Sequence, residues 1–170
     1  MIFRVKKALF NEIDDYAISS DGFFVKVAKL IKGYYLYGSE GQQVGQIIFE
    51  KGKATVVAVD SAALCVYKNA DGTFGITENT PGEAEAAALN KSCRKQASQY
   101  MIYGQAAEYR YDIYEKASSA KRPLPAANII TDIQSKDYYK IRVQEGGNIL
   151  KLIMLAIAID KLNVDPDCRF

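Results

Sequence analysis

Hydrophobic positions fall into two regimes along this chain. Up to Val143 they come in short runs of β-branched and aromatic residues, broken by polar turn residues. From Ile149 to Ile159 every residue except Lys151 is apolar, which predicts a helix hydrophobic on all sides. Eleven residues at about 1.5 Å rise cover roughly 16 Å, about half a bilayer's hydrocarbon thickness. This helix is therefore expected at the centre of the fold, with the rest of the chain wrapped around it and no transmembrane span. Asn148, after Gly146-Gly147, suits the N-cap, and Lys161 suits the negative end of the dipole. Lys151 is misplaced in the first turn and is expected to snorkel to the barrel mouth or to pair with Glu145. Asp160 also opposes the dipole and is expected to face solvent.

The preceding runs read as hairpins. Ile2 to Leu9 mixes β-formers with charges, as a half-exposed strand does. Tyr16–Ser19 and Phe23–Leu30 flank Asp21-Gly22, a strong two-residue hairpin signal. Tyr34–Tyr37 and Gln43–Phe49 flank Ser39-Glu40-Gly41, Ala54–Val59 continues, and Leu64–Tyr67 faces Thr73–Ile76 across Asp71-Gly72. Tyr16, Gly22 and Val25 repeat their spacing in Tyr35, Gly41 and Val44. Further runs are Tyr100–Tyr103, Tyr109–Tyr114, Ala127–Ile133 and Tyr138–Val143. Evenly spaced short strands of this kind predict a meandering sheet closed as a barrel, in one domain over residues 1–170. Thr80 to Ala97 breaks the pattern. Its cap, Pro81, early Glu83 and Glu85 and late Lys91, Arg94 and Lys95 predict a surface helix.

The order of hairpins followed by one apolar C-terminal helix resembles the superfamily of tubby C-terminal domains, phospholipid scramblases and LURP-one-related proteins. The resemblance is carried by Tyr16-Ala-Ile-Ser-Ser-Asp-Gly and its second copy Tyr35-Leu-Tyr-Gly-Ser-Glu-Gly. The ending adds to it: Tyr139-Lys-Ile-Arg-Val, Asn148 and Leu155-Ala-Ile-Ala-Ile-Asp160 look most like the small bacterial LURP-one-like branch. The resemblance spans nearly the whole chain. It implies a mainly β fold: a twelve-stranded closed antiparallel barrel enclosing a central hydrophobic helix. It would also turn Ala87–Gln99 into a strand, against the helix read from the residues.

Composition narrows the chemistry. Histidine is absent, which removes the commonest general base and every Ser-His or Cys-His nucleophile pair. Three widely spaced cysteines, Cys65, Cys93 and Cys168, fit neither a disulfide framework nor a zinc site. They are expected to be free thiols in a cytoplasmic protein, with Cys65 a small core residue. Asn69-Ala-Asp71-Gly72 carries a trace of a calcium loop, but a hairpin turn explains it better because the remaining ligands are misplaced. No enzyme motif, metal or cofactor is expected. The formal net charge of +2 gives no electrostatic case for nucleic acid, and the twelve tyrosines fall mostly inside β-runs, as amphipathic strand residues.

What remains is local basic clustering, at Arg4-Lys6-Lys7, Lys26-Lys29-Lys32, Lys51-Lys53, Lys91-Arg94-Lys95 and Lys121-Arg122. Solvated strand and helix faces account for most such clusters. The functional reading is an anionic phospholipid surface contacted by Lys91, Arg94, Lys95, Lys26 and Lys29, as similarity to tubby domains implies. The expected function is a non-catalytic binding or scaffold module. Its alternatives are a small-molecule-binding barrel and a protein-interaction module with no lipid role.

Overall fold

Turn chemistry sets the local structure. The computed structural model describes residues 2–6, 15–20, 23–30, 33–59, 61–79, 96–97, 100–105, 110–115, 124–131, 138–144 and 148–164. The strands are β1 (Ile2–Lys6), β2 (Asp15–Ser20), β3 (Phe23–Leu30), β4 (Gly33–Tyr37), β5 (Gln43–Glu50), β6 (Lys53–Ala58) and β7 (Ala63–Lys68). They continue as β8 (Phe74–Asn79), β9 (Gln96–Ala97), β10 (Tyr100–Gln105), β11 (Arg110–Glu115), β12 (Ala127–Thr131) and β13 (Tyr138–Val143), followed by the helix α1 (Ile149–Val164). The predicted hairpins form: Ser20 pairs with Phe23, and Lys68 pairs with Phe74. In the second of these, Asn69 N–H donates to Thr73 O at 2.8 Å and Gly72 N–H to Asn69 O at 3.0 Å. Gly72 sits at φ 84°, a left-handed conformation that costs glycine little. The Asp71 carboxylate accepts from the Thr73 hydroxyl at 2.6 Å and from the Thr73 N–H at 2.9 Å. Those bonds hold its carboxyl below the usual range. The trace of a calcium loop is thus a turn whose acid is engaged by its own neighbour.

All thirteen strands join one antiparallel sheet in the order β10-β11-β12-β13-β1-β2-β3-β4-β5-β6-β7-β8-β9. The expected twelve-stranded closed barrel does not form. The sheet has two ends, and no ladder joins them among the described residues. Its last strand, β9, is two residues long and pairs only Ala97 with Thr77 and Gln96 with Glu78. The other end, β10, starts three residues after Ala97, a link that spans at most about 11 Å. The chain therefore holds the two ends near each other where hydrogen bonds do not. A second weak joint lies between β1 and β2, with Arg4 and Ser19 the single register pair among the described residues. It divides the sheet into a five-stranded part, β10 to β13 with β1, and the run from β2 onward. The expected surface helix over Thr80–Ala97 does not reach its end, because Gln96 and Ala97 are strand; residues 80–95 lie outside the described residues. The alternative strand over Ala87–Gln99 is seen at those two positions.

Pleat alternation fills the interior. Gly45, Ile47 and Phe49 of β5 are buried, as are Ala54, Val56 and Ala58 of β6 and Leu64 and Val66 of β7. Cys65 holds the opposite alternation between Leu64 and Val66 and is half-buried, so it is not the core residue expected. Helix α1 packs chiefly on β6, β7 and β13, and Ile153 through Ile159 are each 0% exposed. The enclosure expected for this helix is therefore real, although the sheet around it is open. Asn148 caps it: its side-chain oxygen accepts from Lys151 N–H at 3.0 Å and its carbonyl from Leu152 N–H at 3.0 Å. At the other end the Lys68 ammonium donates to Asn163 Oδ1 at 3.3 Å and to its carbonyl at 3.5 Å. Wrapping continues to the last turn, so Asp160 is buried with Lys161 and does not face solvent as expected.

Helix and sheet approach closest where the sheet side chain is smallest. A Cβ built on Gly45 would stand 2.7 Å from Met154 Sδ and 2.8 Å from its Cε. Gly45→Ala is therefore expected to destabilise the protein by about 1 kcal/mol, since the buried Met154 must shift and the new methyl also stands 3.0 Å from the Val57 carbonyl oxygen. Thermal denaturation of the variant checks this; a midpoint at or above the parent's contradicts it.

Candidate functional site

The sheet does not bring the expected basic residues together. Lys91, Arg94 and Lys95 lie outside the described residues. Lys26 and Lys29 are both in β3, where Lys26 is in register with Tyr37 and Lys29 with Tyr34. Their spacing of three places the two register positions on opposite sides of a pleated strand. Lys53 is taken by an ion pair with Glu50 at 2.5 Å, which raises its pKa.

A different basic face emerges from long-range register in the five-stranded part. In β11, Arg110 is exposed and Asp112 half-buried, while Tyr111 and Ile113 point into the core. In β13, Lys140 is half-buried and Arg142 exposed, alternating with buried Ile141 and Val143. Pairing then aligns these strands into rows. One row runs Tyr103, Asp112, Asn128, Arg142, Ile2. The next runs Gln105, Arg110, Ile130, Lys140, Arg4. Lys6, in register with Tyr138, extends the basic positions along β1. Strands lie about 4.8 Å apart and same-side neighbours about 7 Å apart, so Arg110, Lys140, Arg142 and Arg4 fall within about 15 Å.

The balance of charge on this face is uneven. Asp112 is the acid within the two rows, and it accepts from Asn128 Nδ2 at 2.6 Å. Lys140 and Arg4 are directly opposite in register. Among the described residues these two rows thus hold four basic positions against one acidic one, an excess that suits an anionic partner. Arg4 and Lys6 were visible as a cluster in the sequence; Arg110, Lys140 and Arg142 were not. Their partner rows depend on β1 meeting β13, the two strands most distant in sequence. The readable signal was the spacing Lys140-x-Arg142 beside Arg4-x-Lys6, which puts each pair on one side of its strand.

A second polar cluster lies at the N-terminus of α1. Lys151 does not snorkel, and the expected pairing with Glu145 falls outside the described residues. Its side chain is 4% exposed, with Nζ 3.9 Å from Glu78 Oε1 of β8 and 5.7 Å from the centre of the Tyr100 ring of β10. Burial pushes the ammonium pKa down, opposed by the charges of Glu78 and Glu115. Lys151 thus lies between β8, next to the short β9 at one end of the open sheet, and β10 at the other. Among the described residues, no group of three or more cysteines and acids is placed to hold a metal ion, and no helix is long and apolar enough to cross a membrane.

No family model and no curated relative matches the chain. A solved X-ray structure of a protein from Arabidopsis thaliana is similar to it, with a TM-score of 0.55 at 12% identity. The match covers 95% of this chain and 91% of the plant protein. At that identity the likeness is one of fold, and it extends over nearly the full length of both chains.

Proposed function

We propose that this protein is a non-catalytic binding module that docks on an anionic membrane surface through the face formed by β10 to β13 and β1. The observation that carries this reading is the pair of rows gathering Arg110, Lys140, Arg142 and Arg4 against Asp112. The packed interior supports it as well, since α1 fills the space inside the sheet and leaves recognition to the outer surface. Resemblance to the tubby, scramblase and LURP-one-related superfamily points the same way, and we infer membership of it. The anionic leaflet of a cell membrane is the cytoplasmic one, which makes the cytoplasm the compartment of action.

Each basic residue held near such a surface contributes about 1 kcal/mol, so four give binding that is measurable and reversible. Co-sedimentation with phosphatidylcholine vesicles, with and without phosphatidylserine, tests the reading. Binding is expected to need the anionic lipid and to weaken with salt. Arg110→Glu/Arg142→Glu should reduce it at least tenfold without loss of thermal stability, since both residues are exposed. A parent protein that ignores anionic vesicles at low salt removes the lipid reading and leaves a protein-interaction module.

A further inference from the structure

The basic face also carries apolar side chains. Among the described residues, the exposed large hydrophobics are Leu124 at 69%, Tyr103 and Val59 at 57% and Ile2 at 51%. Single exposed apolar residues are ordinary. Here, however, Tyr103 of β10 and Ile2 of β1 belong to the five-stranded part that bears the arginines, and Leu124 stands in the segment leading into β12. Tyr103 and Ile2 close the two ends of the row through Asp112, Asn128 and Arg142. Leu124 comes three residues before Ala127, which is in register with Ile113 of β11 and Val143 of β13. Tyr103 stands edge-on to Tyr114 with ring centres 5.5 Å apart, forming an aromatic pair on the same side of the sheet. Val59, by contrast, follows β6 and donates its N–H to Val44 of β5, in the other part of the sheet.

A soluble polyanion would use the cations and gain nothing from the apolar residues at their margin. A bilayer interface uses both, because phosphates meet the cations while apolar and aromatic side chains enter the headgroup–acyl boundary. Resting on the docking proposed above, we infer that Leu124, Tyr103 and Ile2 insert into the membrane interface. The partner is then a lipid bilayer, and neither free phosphate nor a soluble anionic polymer substitutes for it. Insertion adds a component of affinity that salt does not screen, alongside the component that it does.

The chain contains no tryptophan, which makes position 124 directly readable. Leu124→Trp introduces a single indole at the proposed contact, and Val59→Trp introduces one at another exposed position away from it. Both variants are mixed with phosphatidylcholine–phosphatidylserine vesicles whose acyl chains are brominated. The indole at 124 is expected to shift to the blue and be quenched, and the indole at 59 to do neither. Leu124→Asn is expected to weaken vesicle binding about tenfold at both low and high salt, with binding to soluble polyphosphate unchanged. An indole at 124 that stays unquenched on vesicles that co-sediment the protein overturns insertion and leaves electrostatic docking standing. Equal quenching at 59 overturns it too. If the parent protein fails to bind anionic vesicles at all, both the inference and the docking beneath it fall.

Discussion

Leu155→Asp is expected to leave the protein unfolded or insoluble. Leu155 is 0% exposed and lies in the middle of a helix whose neighbours Ile153 to Ile159 share that burial. A carboxylate placed there has the apolar faces of α1, β6 and β7 around it, and no solvent. It must remain charged without a partner or take up a proton, and either course costs several kcal/mol. A domain of this size has about 5–15 kcal/mol in hand, so one such change consumes much or all of it. Leu155→Met keeps volume and polarity and is expected to cost less than about 1.5 kcal/mol. Circular dichroism melts of the pair make the comparison. A soluble Leu155→Asp protein with the parent's midpoint would remove the enclosed helix from the account.

The second large effect concerns Lys151, and its direction depends on which partner is changed. Glu78→Gln withdraws the carboxylate 3.9 Å from a buried ammonium and is expected to cost about 2 kcal/mol, less than a fully buried pair because Glu78 keeps some exposure. Lys151→Met removes the buried charge itself and is expected to be neutral or stabilising at pH 7. The pH dependence follows from burial lowering the folded-state pKa below 10.5. Between the folded value and 10.5 the unfolded chain binds the proton and the folded chain does not, so stability rises with pH across that window. Below both values the amine is charged in either state, and the folded protein bears the full cost of its burial. Denaturation in urea from neutral to alkaline pH should show this upward slope in the parent and its loss in Lys151→Met. Equal losses of stability in both variants at pH 7 would argue that packing of the lysine stem outweighs its charge.

Local features were readable in the sequence and long-range ones were not. Asp71-Gly72 places its strands through the conformational tolerance of glycine, which acts within a few residues. The all-apolar run from Leu152 to Ile159 and the Asn148 cap are equally local. Closure was different, since it depends on whether the sheet's two ends share hydrogen bonds, and the two-residue β9 does not link to β10. The same burial that made α1 recognisable misled about Asp160, which was expected to face solvent, and about Lys151, for which snorkelling was one expectation. The enclosure runs from the first turn to the last, so both were taken in with their apolar neighbours. The basic face was missed for a related reason. Arg142 meets Ile2 and Lys140 meets Arg4 only once the first strand has paired with the last.

The position of α1 after all thirteen strands has a consequence for how the protein is made. Synthesis delivers the sheet first and its filling last, so inward-facing residues such as Ile47, Val56 and Leu64 leave the ribosome with nothing to cover them. Pairing of β1 with β13 also has to wait until residues 138–143 are available. At about 5–20 residues per second, a nascent chain of this length spends many seconds with exposed apolar strands. Productive folding is therefore a late event, triggered when α1 clears the exit tunnel. Until then the inward-facing side of the sheet has no helix to cover it, and a stall before Ile149 is expected to leave an aggregation-prone polypeptide.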